Sequence, residues 1–72
     1  MLTEYIQAAM RKASYEFLQN DELYYGEVPG LDGVYASHRN LEDCREELRK
    51  VLEDWILLSI QKNLPVPVID TA

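Results

Sequence analysis

One segment decides most of what this chain can become: from Asn40 to Asn63 it is written as a single long helix. Leu41, Cys44, Leu48, Val51, Leu52, Trp55 and Ser59 recur at helical spacing and form one continuous stripe. Asn40 supplies an N-cap, and Glu42 and Asp43 fall in the first turn, where the helix dipole favours negative charge. On the opposite side Glu46–Lys50, Arg49–Glu53 and Lys50–Asp54 stand four residues apart as supporting ion pairs. Asn63 suits a left-handed residue at the helix end, and Pro65 forbids continuation.

The stretch Trp55–Ile60 of this helix is apolar nearly all round. On a helical wheel Leu57 falls among Glu46, Lys50 and Glu53, away from the core stripe, and Ile60 lies to one side of it. A helix apolar on several sides is buried on several sides. Either the first helix and the Pro-rich tail cover this end within one chain, or a second subunit does. The expectation is a homo-oligomer, with a symmetric dimer its commonest form, held through Leu57 and Ile60 and through Val66 and Val68 of the tail.

What precedes the long helix reads as a sheet for it to cover. Leu2, Tyr5, Ile6, Ala9, Met10 and Ala13 make one face of a short first helix, with Thr3 as its N-cap and Arg11-Lys12 at its negative end. At about 11 residues it is marginal alone and must dock. Ser14–Gln19 then alternates and is rich in aromatic residues, as a strand should be. Asn20-Asp21-Glu22 supplies a turn, Leu23–Val28 a second, antiparallel strand, and Val34–Ser37 a third. Gly26, inside the second strand, marks a bulge or a close approach of another backbone. Between the last two strands, Pro29–Gly33 forms a loop whose Gly30 and Gly33 are available for positive φ. Pro65 and Pro67 leave the tail extended. The predicted fold is α+β: N-terminal helix, three-stranded antiparallel sheet, long C-terminal helix and extended Pro-rich tail, with residues 1–72 a single domain.

Size and charge narrow the function classes. A chain of 72 residues buries only about 60% of its unfolded surface, so its core is marginal without help. An internal disulfide is excluded because Cys44 is the only cysteine, and its place on the core stripe makes it a small hydrophobe. His38 and Cys44 are too few for a metal cluster, so no cofactor is expected. No run approaches the roughly 20 apolar residues that span a bilayer, and the start lacks the basic and apolar regions of a signal peptide. A cytoplasmic protein without membrane contact is expected. The net charge is −6, with residues 1–20 balanced and −3 on each of residues 21–40 and 41–72. Nucleic acid demands clustered Lys and Arg, so direct nucleic-acid binding is not expected, whereas a basic protein partner suits this surface.

Catalysis finds little support. A Ser37/His38/Asp32 set can be written on paper, and Asp21, Glu22, Glu27 and Glu42 can be imagined around magnesium. Acids at turns and helix starts have local structural reasons to be there, and a loop histidine is ordinarily solvated. The five tyrosines say more. Alternation sends Tyr24 and Tyr25 to opposite faces of the sheet, so one faces away from the helix, and tyrosine is favoured in protein contacts.

The stretch from Leu23 to Leu58 resembles the HicB antitoxin family. The features that carry the match are a strand running into an acid and a proline (Tyr25–Pro29), a Leu-x-Gly loop (Leu31–Gly33), a strand (Val34–Ser37) and a capped, acid-rich helix (Asn40–Leu52). The first helix followed by Ser14-Tyr15-Glu16 resembles the short branch of that family. The resemblance implies a partial ribonuclease-H-like fold without nuclease function. It further implies an antitoxin of a type II toxin-antitoxin system, which masks a small basic HicA-like toxin, an mRNA interferase, and assembles into dimers or larger forms. On that reading Tyr24, Tyr25, Glu27, Leu31 and Asp32 are candidates for the toxin-contact surface. A stand-alone oligomeric scaffold without a toxin is the alternative. Asp32 and His38 stand where many members have proline and glycine. The chain reaches Ala72 straight after the Pro-rich tail, so no DNA-binding module is expected.

Overall fold

A computed structural model describes residues 2–64. The elements run α1 (Leu2–Arg11), β1 (Ser14–Leu18), β2 (Leu23–Glu27), β3 (Tyr35–His38) and α2 (Leu41–Gln61). The strands form one antiparallel sheet in the order β1-β2-β3, which is the predicted α+β arrangement. Val66 and Val68 lie outside the described residues.

The long helix begins as its sequence asks. The Asn40 side-chain oxygen accepts from the backbone N–H groups of Glu42 and Asp43, at 2.8 and 3.2 Å. At the other end Asn63 adopts φ 55°, and the N–H groups of Asn63 and Leu64 reach back to the carbonyls of Ile60 and Ser59. That pair of bonds is a Schellman closure, with asparagine in the left-handed position usually given to glycine. The surface ion pairs differ from the simple expectation. Arg49 reaches both Glu53, at 2.8 Å, and Glu46, so Glu46 turns to Arg49 instead of Lys50. The fork of a guanidinium can serve two carboxylates on one helix side, which an ammonium does less well.

Cys44, Leu48, Leu52, Ile56 and Ser59 form the buried line of α2 and pack over β2 and β3. Ser59 avoids an unpaired hydroxyl by donating to the Trp55 carbonyl at 2.9 Å. Leu41, expected on this line, is exposed; Ile56, four residues beyond Leu52, takes a place in the core instead. Val28, Leu31, Val34, Ala36 and Ala9 complete the centre, with Tyr5, Ile6, Met10 and Trp55 packed at its margin.

Several boundaries move, and β3 runs one residue further, to His38. Thr3 stands inside α1, so it is not the cap. The first hairpin loop spans residues 19–22, which ends β1 at Leu18; Glu22 closes it with φ 55°. Val28 and Val34 leave their strands to seal the second loop: Val28 N–H donates to the Val34 carbonyl at 3.3 Å, Leu31 N–H to Val28 and Val34 N–H to Leu31. Gly30 (φ 89°) and Gly33 (φ 91°) make these nested turns possible.

Candidate functional site: the open face of the sheet

Register divides the strand residues between two faces. Tyr15 stands opposite Gly26, which stands opposite Ala36; Phe17 stands opposite Tyr24, which stands opposite His38. Gly26 and Ala36 are buried, and the Cys44 thiol beneath α2 lies 3.5 Å from the Tyr24 carbonyl and 3.6 Å from that of Ala36. This is the helix-covered face. Burial also pushes the Cys44 thiol up from its ordinary pKa, which suits a packing role.

The alternate residues face the other way. Ser14 pairs with Glu27, Glu16 with Tyr25 and Leu18 with Leu23; Tyr25 and Glu27 pair in turn with Ser37 and Tyr35. All eight are exposed or half-buried, because α2 packs on the opposite face and α1 packs on α2. At the centre the rings of Tyr25 and Tyr35 stack, with centroids 6.2 Å apart and planes 29° apart. Tyr35 is 58% exposed. The Tyr25 hydroxyl is pushed up from its ordinary pKa by partial desolvation and then by the charge of Glu27 and by Tyr35, so it stays a neutral donor and acceptor. A phenolic platform flanked by Glu16 and Glu27 offers apolar area, hydroxyls and negative charge together.

Of the residues singled out from sequence, Tyr25 and Glu27 meet on this face. Tyr24 lies on the helix-covered side, tilted against Phe17 with ring centroids 5.1 Å apart. Asp32 is exposed in the loop that follows β2. Leu31 needs correction: at 4% exposure it belongs to the core, where it anchors the loop from below and offers a partner nothing. Leu57 and Ile60 are exposed, at 55% and 54%. Glu16 and Tyr35 are the site residues that sequence reasoning passes over. Their signal is alternation read across strands, and it becomes legible only once the four-residue loop fixes which residues pair.

Among the described residues no group of three or more His, Cys, Asp or Glu side chains is placed to hold a metal ion, and no helix is long and apolar enough to cross a membrane. The Ser37/His38/Asp32 set is not assembled. Ser37 shares the open face with Tyr25, whereas His38 lies across the sheet and its Nδ1 accepts, at 3.4 Å, from the Asn40 N–H.

Residues 4–67 match the sequence profile of the family described as UPF0150-like. The chain belongs to that family. No curated protein gave a significant match. Among solved structures this UPF0150-like chain is similar to the crystal structure of TTHA0281 from Thermus thermophilus. The two are 40% identical with a TM-score of 0.88, over 94% of this chain and 84% of that one. Among the described residues, this UPF0150-like fold is a helix–sheet–helix unit in which no element covers the second face of the sheet.

Proposed function

We propose that this UPF0150-like protein is an antitoxin of the HicB type, which neutralises a small basic ribonuclease by binding it through the open sheet face. The single observation behind this reading is that uncovered face, with the Tyr25–Tyr35 stack set between Glu16 and Glu27. Tyrosines give a protein contact area and hydrogen bonding at small entropic cost. The carboxylates, in a chain of net charge −6, steer a basic partner and reject nucleic acid. The HicB resemblance carried by Tyr25–Pro29, Leu31–Gly33 and Asn40–Leu52 points the same way, and the partial ribonuclease-H-like kinship belongs to that same reading. The protein would act by masking alone, without catalysis of its own.

The test pairs the protein with a short basic protein encoded beside it. Co-expression should relieve that protein's growth arrest, and the complex should weaken steeply as salt rises. Glu16→Lys with Glu27→Lys should lower affinity by about tenfold or more, a change of roughly 1.4 kcal/mol. A cognate neighbour that neither binds nor is neutralised would remove the antitoxin reading.

Self-association has its own support. Leu57, Leu58, Ile60 and Leu64 are about half exposed at one end of α2. Apolar groups clustered in this way mark contact surfaces more often than free ones. We read this end as the seam of a homo-oligomer, which an oligomeric scaffold without a toxin would share.

A further inference from the structure

The arginines of this acidic chain are gathered in one place. Three of the four, Arg11, Arg45 and Arg49, line a groove of about 410 Å³ between α1 and α2, together with Ile6, Met10 and Glu46. Arg49 is occupied by Glu46 and Glu53. Among the described residues, neither Arg11 nor Arg45 has a carboxylate within 4.0 Å. Arg45 also borders a second depression, of about 220 Å³, with Tyr15, Leu41 and Glu42. Among the described residues, the buried Tyr15 hydroxyl finds no hydrogen-bond partner.

These features call for one chemistry. Two guanidinium groups offer planar forks that match a carboxylate, and the half-buried Ile6 and Met10 offer apolar lining beside them. Within a chain of net charge −6, a groove where three arginines outnumber one glutamate is a local inversion of sign. Its form, an open trough between two helices, suits a peptide segment better than a compact ligand.

We propose that the α1–α2 groove docks an acidic, apolar segment of a partner protein. A carboxylate of that segment lies between Arg11 and Arg45, and a neighbouring aliphatic side chain rests on Ile6 and Met10. The groove is opposite in sign to the Tyr25–Glu27 face, so its partner differs from the basic one proposed there. Neither proposal depends on the other.

The test is an NMR titration of the ¹⁵N-labelled full chain with the peptide acetyl-Glu-Leu-Asp-Ile-Leu-Glu-amide, and with its counterpart carrying lysine at every acid. The acidic peptide should shift the Ile6, Met10 and Arg45 amides and the side-chain NH signals of Arg11 and Arg45, and the response should weaken with salt. Arg11→Glu with Arg45→Glu should raise Kd about tenfold or more while leaving the β2 and β3 amides at their native positions. Should that variant fail to fold, Arg11→Gln with Arg45→Gln serves, with about a fivefold rise expected. No groove shifts at about 5 mM peptide, equal shifts from the lysine peptide, or shifts confined to the open sheet face would each overturn the proposal.

Discussion

At Gly26 the sheet and the helix meet with room for a hydrogen atom and nothing larger. A β-carbon there would stand 2.8 Å from two ring carbons of Tyr15 and 3.4 Å from the Cys44 sulfur. Gly26→Ala should therefore destabilise by about 1–3 kcal/mol, read from the urea midpoint, because the Tyr15 ring must give way. Neither role that sequence offers Gly26 holds as stated: the register runs through it without a bulge, and what approaches closely is the Tyr15 ring, not another backbone. Tyr15 tests the opposite case. Its hydroxyl is buried and unpaired among the described residues, so Tyr15→Phe should leave stability unchanged or raise it by about 1 kcal/mol. A clear loss would mean that the hydroxyl has a partner in solution. Glu46 sets a pH signature. The Arg49 hydrogen bond, and then its charge, hold the Glu46 carboxyl below its ordinary pKa. The folded value is the depressed one, so this contribution is present above the unfolded pKa of about 4.3 and fades as pH falls through the folded value. Both partners are largely solvated, so the effect is small and screened by salt. Glu46→Gln should lower the midpoint slightly at about pH 7, and the difference should shrink as pH falls below about 4.3.

Elements are legible in proportion to how much of their signal is local. The cap, the first-turn acids and the stop of α2 all act within a few residues, and they stand where the periodicity puts them: Asn40→Ala should cost about 1 kcal/mol in thermal or urea unfolding. The start of α1 carries a weaker signal. A threonine near a helix start reads alike whether it caps the helix or rides in its first turn, and here it rides. Strand ends depend on partners that periodicity does not name, which is why Val28 and Val34 read as strand and serve as loop clamps. The candidate site is half legible for the same reason. Tyr25 and Glu27 follow from alternation along one strand, whereas Glu16 and Tyr35 require pairing across three. Leu31 misleads because a Leu-x-Gly loop looks solvent-facing by composition, yet its leucine plugs the core.

For the whole molecule, the α+β order is written in the sequence, while the contacts beyond the chain are only bounded by it. The exposed pair Leu57 and Ile60 makes the expected assembly a matter of light scattering: the wild type should exceed the mass of one chain, and Leu57→Glu should return it to one. A wild type of single-chain mass would refute the seam. The sheet has a broader consequence. Strand alternation assigns folding to one set of positions and leaves the other set nearly idle in that respect. Changing Glu16, Tyr25, Glu27 or Tyr35 to alanine should shift unfolding by less than about 1 kcal/mol apiece. Such a surface can drift, tracking whatever it meets, while the scaffold beneath stays as it is. Two proteins of this architecture could thus be near-identical in stability and strangers in company.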